Sequence, residues 1–423
     1  MVNHIELNGN LPAGWLQRSI KDFAETKAGG TPATKHPHYW DGDVPWINSG
    51  ALKDTFVSTP SRFITKLGLS NSAAKLLPPD SVLIALTGAT TGRVGYLAIP
   101  CSTNQSVVGI LPNDNHDSCF LFYYLMSIRD YVLKQASGAA QPHINKQIVD
   151  DIQVTFPPLP EQRAIAHVLR TVQQAKEATQ KVIDATRQLK QSMMTHLFTC
   201  GPVPIQEAGE LPASWSLRSL GEIAELIQYG TSSRCADNVD STPVIRIPNV
   251  IGGVIDSTDL KYLNATDSEI DRFQLKEGDI LFVRTNGQKR YVGRSAVYQG
   301  EPNGALFASY LIRVRVDSSQ AVPEFLNIYV ETAQGKEMLS GRAINSADGK
   351  YNINTQTIRE VMVPIPSLSE QRGIIEQMRI LRNKLDCEGK RLESLQIIFK
   401  SLLHNLMTSK VRLPEFINNG SSQ

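Results

Sequence analysis

Short runs of apolar residues bounded by turn-forming residues recur in both halves of the chain. Two of them, at residues 80–86 and 279–283, are rich in Val, Ile and Leu. Runs of this length and composition are typical of buried strands. Helix-like stretches accompany them at residues 120–131 and 324–339. The pattern predicts a mixed α and β domain in each half, with strands dominating its centre.

Each half closes with a proline-rich boundary followed by a long segment of helical spacing. Pro160 stands just before Glu161, and Ser369 just before Glu370. A first-turn proline, a serine N-cap and an acid near the positively polarised helix end all favour a helix start. We therefore predict long helices over residues 159–199 and 368–409. A helix of roughly thirty-five residues is about 50 Å long.

The apolar residues of these segments follow a heptad-like spacing. The second segment carries Ile374, Met378, Leu381, Leu385, Leu392, Leu395, Phe399, Leu402 and Leu406, interrupted by Glu388. The first has a weaker version with Ile165, Val168, Val172, Ala175, Val182, Leu189 and Met193, and with Thr179 and Thr186 in the seam. Sustained heptads are typical of coiled coils.

The helices could each lie on their own domain or pair with each other as an antiparallel coiled coil. Pairing is preferred because both seams are long, narrow and of equal length. The residues assigned to the helix contact are Ile165, Val172, Leu189, Ile374, Leu381, Leu385, Leu395 and Leu402.

The two halves are also written in repeated motifs. Residues 9–15, a Gly-x-Leu-Pro-x-x-Trp opening, return at 209–215, an offset of 200. Further on, Ile144-Asn145 matches Ile353-Asn354, and the Leu-x-Glu-Gln-Arg motif at 159–163 returns at 368–372, both at an offset of 209. A repeat of about two hundred residues is too long for a solenoid. It implies two homologous domains with two similar sites.

The predicted fold class is therefore α+β, with two strand-rich domains joined by two long helices in a pseudo-twofold arrangement. The expected layout has domains at residues 1–158 and 209–367 and helices at 159–199 and 368–409. Residues 200–208 would form a linker, and residues 410–423 a tail.

The amino-acid composition limits the functions that the chain can be expected to have. A net charge of +2 argues against a protein that coats phosphates indiscriminately, so any nucleic-acid surface must be local. The five scattered cysteines form no Cys-x-x-Cys pair and indicate reduced thiols. We recognise no signal peptide and no run of eighteen apolar residues, which predicts a cytoplasmic protein without a membrane segment.

Motifs for catalysis are not evident. The sequence has no phosphate-binding Gly-x-x-x-x-Gly-Lys loop, no Gly-x-Ser-x-Gly elbow and no His-Glu-x-x-His. His36 and His38 favour a surface loop over metal ligation. We predict no catalytic residue, no metal site and no cofactor in this chain. A nuclease or methyltransferase with an unrecognised site, and a protein scaffold that never touches DNA, remain alternatives.

Two polar loops in each half carry the candidate recognition chemistry. The glycine-rich loops, residues 87–95 and 285–294, follow the central strands, and the second loops, residues 137–143 and 346–352, precede the Ile-Asn match. Glycines let the backbone approach a ligand, while Thr, Asn, Gln, Lys and Arg contact phosphates and base edges. Residues 284–315 contain six basic residues and a single acidic residue, Glu301. This excess predicts a local DNA footprint, although a solvent-facing hairpin would show the same charges.

The candidate DNA-binding residues lie in these loops or beside them. They are Thr90, Thr91, Arg93, Gln141, His143, Lys146, Arg284, Asn286, Gln288, Lys289, Arg290, Arg294, Lys350, Tyr351 and Asn352.

Four features together carry a resemblance to a known family: the duplicated openings, the strand with its glycine-rich loop, the segment before Asn145 and the repeated Leu-x-Glu-Gln-Arg motif. In these features the chain resembles the DNA specificity subunits of type I restriction-modification enzymes. The resemblance covers nearly the whole chain. It implies a non-catalytic subunit with two target recognition domains, each reading one part of a bipartite site in double-stranded DNA, and helices that set the gap. The implied partners are two methyltransferase subunits using S-adenosylmethionine and two motor-nuclease subunits using ATP and magnesium. The first loop departs from the second, since Arg93 is its only charged residue.

Overall fold

The computed structural model describes residues 11, 14–137, 142–200, 212, 214–237 and 241–413, with only the backbone described at 199 and 200. The chain divides into two compact units: unit 1, residues 1–180 with 390–423, and unit 2, residues 181–389. Each long helix therefore belongs partly to each unit. Gln141, most of the expected linker and residues 414–423 of the expected tail lie outside the described residues.

Unit 1 is built mainly from short strands. These are β1 (Leu16–Ser19), β2 (Thr26–Ala28), β3 (Trp40–Ile47), β4 (Thr55–Val57), β5 (Arg62–Ile64), β6 (Leu76–Leu77), β7 (Val82–Ala85), β8 (Val94–Leu97), β9 (Cys101–Thr103), β10 (Val107–Ile110) and β11 (Gln153–Phe156). The helices are α1 (Ile20–Phe23), α2 (Lys66–Ser70), α3 (Ser118–Ser127), α4 (Arg129–Lys134), α5 (Lys146–Asp150) and the first part of α6 (Leu159–Cys200).

Strand β7 lies at the middle of a five-stranded sheet with the order β2-β10-β7-β8-β4. All four of its residues are buried, because both faces of the sheet are covered by apolar side chains. A second sheet has the order β5-β3-β9-β6, and β1 pairs with β11. The apolar run at residues 80–86 is thus the buried strand that its composition predicts.

Unit 2 repeats this plan with more strands. They are β12 (Ser216–Ser219), β13 (Ala224–Tyr229), β14 (Thr242–Ile245), β15 (Val250–Ile251), β16 (Gly253–Ile255), β17 (Lys261–Leu263), β18 (Ile280–Val283), β19 (Thr285–Asn286), β20 (Ser295–Val297), β21 (Leu306–Phe307), β22 (Leu311–Val316), β23 (Ile344–Asn345), β24 (Tyr351–Asn352) and β25 (Met362–Ile365). The helices are α7 (Leu220–Ile223), α8 (Asp267–Phe273), α9 (Pro323–Val330), α10 (Ala333–Lys336), α11 (Thr355–Arg359) and the first part of α12 (Leu368–Met407), with a π-helical turn at Glu337–Gly341.

The strand order is the same in the two units. Strands β13-β22-β18-β20-β16 correspond to β2-β10-β7-β8-β4, and β15 adds an edge. The unusual parallel pairs recur as well, since β4 is parallel to β8 and β16 is parallel to β20. Duplicated sequence has therefore produced duplicated topology, and unit 2 adds the small sheet β19-β24-β23.

The repeated glutamine of the Leu-x-Glu-Gln-Arg motif anchors the start of each long helix. The side chain of Gln162 accepts a hydrogen bond from Asp117 N at 2.9 Å and donates to Pro157 O at 2.9 Å. Gln371 accepts from Val322 N at 2.8 Å and donates to Pro366 O at 3.0 Å. Both amides are buried. The motif thus ties each long helix to the helix after the central sheet.

The repeated asparagine of the Ile-Asn match caps a short helix. Asn145 Oδ1 accepts from Ile148 N at 2.9 Å at the start of α5, and Asn354 Oδ1 accepts from Thr357 N at 2.8 Å at the start of α11. An N-cap of this kind contributes roughly 1 kcal/mol. This residue is repeated for folding, whereas the loop that precedes it varies.

Within each unit, one part of α6 shares a core with one part of α12. In unit 1 the start of α6, with Ile165 and Leu169, packs with Phe399 and Leu406 near the end of α12. In unit 2 the end of α6, with Leu197, packs with the start of α12. The helices are therefore antiparallel in both units, as predicted. Arg412, which follows α12, donates to the buried carboxylate of Glu161 at 2.6 and 2.7 Å.

The seam of α12 follows the predicted positions. Ile374, Met378, Phe399 and Leu406 are buried. Partly buried positions fill the rest of the seam, namely Leu381, Leu385, Leu392, Leu395 and Leu402. Glu388 also lies in the seam and is only 5% exposed, with Lys384 Nζ 2.5 Å from Oε1.

The predicted seam of α6 is wrong at Leu189. Ile165 is buried and Val172 partly buried, but Leu189 is 51% exposed and Val182 39% exposed. The neighbouring Ile183 and Lys190 point inwards instead, with Ile183 buried and Lys190 partly buried. The error arose because polar residues occupy several inward positions, so exposed apolar neighbours mimicked the seam.

Candidate nucleic-acid interface

The structure places the two predicted loops of each unit side by side. In unit 1, Ile144 N donates to Leu86 O at 2.9 Å, and Thr87 forms a β-bridge with His143. In unit 2, Ile353 N donates to Arg284 O at 3.0 Å, and Thr285 pairs with Asn352 between β19 and β24. We call the glycine-rich loop and the second loop of one unit its loop pair.

One glycine in each glycine-rich loop is required by the backbone. Gly92 and Gly293 have φ values of +73° and +79°. A Cβ on Gly293 would lie 2.5 Å from Leu339 Cβ in the π-helical turn. Only glycine combines this conformation with such close packing. The turn after each central strand is thus fixed, while the residues before the glycine differ between the units.

Exposed cations cluster on the loop pair of unit 2. Lys289, Arg290 and Arg294 are exposed, and among the described residues no carboxylate lies within 4.0 Å of them. The guanidinium groups of Arg290 and Arg294 lie 4.8 and 4.0 Å from the ring centre of Tyr291. Stacking on the ring orders these side chains without neutralising them. They present unpaired positive charge to solvent.

Arg284 is held beneath this surface. Its guanidinium lies 4.7 Å from the ring centre of Tyr229 and donates to Ser309 O at 3.4 Å. The Tyr229 hydroxyl accepts from Thr355 N at 3.2 Å, which links the ring to the N-terminal turn of α11. Sequence reasoning missed both tyrosines. The dipeptide Arg290-Tyr291 could have indicated one of them, whereas Tyr229 is distant in sequence.

The polar candidates of unit 2 are partly engaged with one another. Asn286 accepts from Gln288 N at 2.9 Å, and Gln288 accepts from Arg290 Nε at 3.0 Å. Asn352 donates to Ser346 Oγ at 2.7 Å, and Tyr351 beside it is partly buried.

Lys350 is the one cation of this loop pair with an acidic neighbour among the described residues. Its Nζ lies 3.2 Å from Asp348. Hydrogen bonds from Ser346 and Lys350 lower the pKa of Asp348 to about 2, so this carboxylate stays ionised and offsets the charge of Lys350.

Two of the six basic residues counted toward the footprint do not belong to it. Arg313 is 2% exposed and donates to the carbonyls of Gln274 and Arg272 at 2.7 and 3.0 Å. Arg315 makes two 2.7 Å hydrogen bonds to the buried carboxylate of Asp279. Their alternate spacing along β22 turns both toward Asp279, so they stabilise the sheet.

The loop pair of unit 1 is nearly neutral. Arg93 lies 3.6 Å from Asp54, which Arg129 also approaches at 3.7 Å. Lys146 forms a 2.7 Å ion pair with Asp150. Thr90 is partly exposed and His143 exposed, so their side chains are the accessible candidates.

Thr91 is unsuited to the role predicted for it. The side chain is 1% exposed, and its hydroxyl lies 2.7 Å from Pro142 O and 2.8 Å from Gly88 O. Thr91 fastens the two loops of unit 1 together instead of facing a ligand.

Within the described ranges, no group of three or more His, Cys, Asp and Glu side chains is placed to hold a metal ion. His36 precedes the 3₁₀ turn Pro37–Tyr39 and His38 lies within it, and the two rings are 5.4 Å apart. Among the helices that could be searched, none is long and apolar enough to cross a membrane. The four cysteines whose side chains are described are free thiols.

The fold and loop pairs define a duplicated α+β protein built around two long helices. The chain belongs to the type I restriction modification DNA specificity domain family, whose model matches residues 12–185 and again 212–396. The first match lies mainly in unit 1 and the second mainly in unit 2.

Known relatives span almost the whole chain. The specificity subunit of the type I restriction enzyme MjaVIII from Methanocaldococcus jannaschii is 25% identical, with 97% of this chain and 96% of the relative covered. That of EcoKI from Escherichia coli is 22% identical, with coverage of 96% and 90%. The crystal structure of a type I restriction-modification S subunit from M. genitalium shares the fold at a TM-score of 0.60 and 19% identity, covering 95% of this chain and 97% of that one.

Proposed function

We propose that this chain is the DNA-reading specificity subunit of a type I restriction-modification complex. Each unit reads one part of a bipartite target through its loop pair, and the long helices set the gap between the parts. The observation that carries the proposal is a contrast between the units. Their strand order and anchoring contacts, which we call the frame, are repeated, whereas their loop pairs differ. Two copies of one frame with different exposed side chains suit an asymmetric target with two different half-sites.

The chain is proposed to be non-catalytic and to act through double-stranded DNA and partner subunits. Two methyltransferase subunits would use S-adenosylmethionine, and two motor-nuclease subunits would use ATP and magnesium, in the cytoplasm. The names of the relatives, all specificity subunits, support this division of labour. A purified chain that cleaved or methylated DNA by itself would instead favour the enzyme alternative.

The loop pair of unit 2 supplies the strongest DNA contacts in this proposal. Lys289, Arg290 and Arg294 are exposed cations ordered by Tyr291. Arginine pairs in a fork with phosphate or with guanine in the major groove, and the neighbouring amides suit adenine. Unit 1 would depend on Thr90, His143 and exposed backbone near Gly88, with less electrostatic attraction.

The decisive experiment is methylome sequencing of a host with and without the gene, together with genes for the partner subunits. We expect adenine methylation at a split, asymmetric target only when the gene is present. An unchanged methylation pattern would refute the proposal.

The ruler role of the helices has a sharper test. The units divide between Gln180 and Lys181 in α6 and between Gly389 and Lys390 in α12, so a heptad inserted at both points leaves the core of each unit intact. Seven residues add about 10 Å, or roughly three base pairs, to the gap. The half-sites should remain the same. A heptad in α6 alone is the matched control and should abolish modification, because the helices no longer agree in length; an unchanged gap in the double insertion contradicts the ruler.

A further inference from the structure

Unit 2 contains a cavity of about 520 Å³ between α9, the β15–β16 turn and the parts of α6 and α12 that belong to this unit. Its apolar wall is formed by Met194, Val254, Val297, Ile328, Met378 and Leu385. Cavities of about 300 to 1,000 Å³ are the usual size for small ligands. The predicted DNA-binding loop residues do not line this cavity.

Five cations line the cavity, and three of them have carboxylate neighbours. Arg187 pairs with Asp184 at 3.4 Å, Lys336 with Glu331 at 3.3 Å and Arg379 with Glu376 at 2.8 Å. Lys190 and Arg382 have no carboxylate within 4.0 Å among the described residues. The lining also contains two carboxylates: Glu331, which pairs with Lys336, and Glu324, which accepts a hydrogen bond from Gln299 Nε2 at 3.1 Å. Within the described lining, Lys190 and Arg382 are thus two positive side chains without a direct carboxylate partner.

The positive charges of Lys190 and Arg382 also repel each other. Burial lowers the pKa of Lys190, and the positive charges of Arg382 and Lys336 lower it further, while Glu331 and Asp386 act in the opposite direction. Two like charges held in one half-buried wall destabilise each other, and an anion placed between them would relieve this repulsion.

Arg382 is positioned by a glycine. Gly253 has a φ of +84°, and a Cβ on it would lie 2.8 Å from Asn327 Nδ2 and 3.2 Å from a guanidinium nitrogen of Arg382. Asn327 is buried and bonded to Ser295 and to Gly253 O. The absence of a side chain at Gly253 therefore leaves the guanidinium its place against the wall.

The same place in unit 1 is filled by aromatic rings. Phe56 pairs with Tyr96 across β4 and β8, as Val254 pairs with Val297 across β16 and β20. The rings of Phe56 and Tyr96 lie 4.7 Å apart, and that of Phe122, which corresponds to Asn327, lies 5.6 Å from Phe56. Lys190 and Phe399 occupy the same position along α6 and α12. The frame accommodates stacked flat rings here, and unit 2 has left the space open.

We propose that the cavity of unit 2 binds a small ligand that combines an aromatic ring with a phosphate group, the chemistry of a mononucleotide. The ring takes the space that Phe56, Tyr96 and Phe122 fill in unit 1, and the phosphate lies between Lys190 and Arg382. Guanidinium and ammonium groups are the usual protein partners of phosphate. This inference does not depend on the proposed DNA-reading function.

Calorimetric titration of the full chain with adenosine 5′-monophosphate tests the proposal. We expect one bound nucleotide per chain, with an affinity at least tenfold higher than for inorganic phosphate or adenosine alone. Equal affinity for phosphate and nucleotide would overturn the role of the ring, and no binding at all would overturn the site.

Variants locate the ligand. Lys190→Gln with Arg382→Gln should weaken nucleotide binding at least tenfold, whereas Arg379→Gln, a cation of the same wall that pairs with Glu376, should change it less than twofold. Val254→Phe with Val297→Tyr rebuilds the wall of unit 1 and should abolish binding without lowering the melting temperature. Nucleotide binding that survives both double variants overturns the assignment.

The phosphate could instead come from the DNA backbone, and competition distinguishes the two sources. A free nucleotide in this cavity should bind equally well with and without excess duplex. Displacement of the nucleotide by duplex, together with weaker duplex binding by the Lys190 and Arg382 double variant, would assign the cavity to DNA and refute the small ligand.

Discussion

The two units share their strand order but differ in what fills corresponding positions. At the start of the central strand, unit 1 has Ser81, which donates to Pro78 O at 2.8 Å, and unit 2 has buried Asp279, which accepts from Arg315. On the neighbouring strand, Gly109 of unit 1 packs against Leu77, whereas the corresponding Arg313 of unit 2 is a buried cation 3.6 Å from Asp279. The same topology is therefore supported by neutral and apolar contacts in unit 1 and by buried ion pairs in unit 2.

The contrast extends to the surface and to the space beneath it. Unit 1 has a neutral loop pair and an aromatic cluster, and unit 2 has a cationic loop pair and a cavity. The residues that stay the same are those that fix the chain path, such as the buried glutamines Gln162 and Gln371. A small set of anchoring contacts thus holds the frame, which leaves the loops and part of the core free to diverge.

Removing the buried carboxylate of Asp279 should have the largest effect on the free energy of unfolding. Asp279→Ser would leave Arg313 and Arg315 without their carboxylate, and losing one partner of a buried ion pair costs about 3–5 kcal/mol. Urea unfolding of the full chain, with and without the substitution, measures this loss. The matched change in unit 1, Ser81→Ala, removes one neutral hydrogen bond and should cost about 1 kcal/mol; equal losses would show that the ion pair is unimportant.

Acid should destabilise unit 1 through a residue that unit 2 lacks. Burial lowers the pKa of His116 from 6.5 to about 4, and the corresponding residue of unit 2 is Ala321. Between these pH values the unfolded chain binds the proton and the folded chain does not. This contribution is fully present above about pH 6.5 and is lost as the pH falls to 4, by on the order of 3 kcal/mol.

The variant His116→Ala should show a smaller loss of stability between pH 7 and pH 4.5 than the natural chain. Denaturant unfolding of both proteins at the two pH values measures the difference. Parallel losses in the two proteins would mean that His116 is accessible to protons in the folded state.

The loop pairs should differ in their salt-dependent contribution to DNA binding. Lys289→Ala with Arg290→Ala removes two cations that have no carboxylate partner among the described residues, and it should weaken duplex binding about tenfold or more. The slope of the logarithm of the binding constant against the logarithm of the salt concentration should become shallower by about two. Arg93→Ala should weaken binding less than threefold, because Asp54 already partly neutralises Arg93. Fluorescence anisotropy over a range of salt concentrations measures both, and a larger effect at Arg93 would reverse the assignment.

The smallest effect is expected at Leu189. Because this side chain is 51% exposed, Leu189→Ala should change the free energy of unfolding by less than about 0.5 kcal/mol. Ile183→Ala, in the same helix but buried, should cost about 2–5 kcal/mol. Similar losses at the two positions would restore the seam predicted from the sequence.

A feature was predictable from the sequence where the interactions that form it are between residues close together in the chain. The strands at 80–86 and 279–283 were predictable because their apolar runs are local, and the starts of α6 and α12 because proline, serine and glutamate mark them locally. The prediction of Ser369 as the N-cap of α12 was wrong, because the helix begins at Leu368 and Ser367 Oγ accepts the capping hydrogen bond from Glu370 N at 3.3 Å. The burial of Thr91, Arg313 and Arg315 was not predictable, since each depends on a partner supplied by another element.

By itself, the sequence determined that the chain is a duplicated α+β protein with two long helices, because repeats, caps and periodicity depend on neighbouring residues. Only the tertiary structure decided which charges face solvent. It paired Arg93 with Asp54 and Arg315 with Asp279, and it stacked Arg290 and Arg294 on Tyr291. A charge in a sequence has no fixed electrostatic effect until folding places its partners and sets its burial.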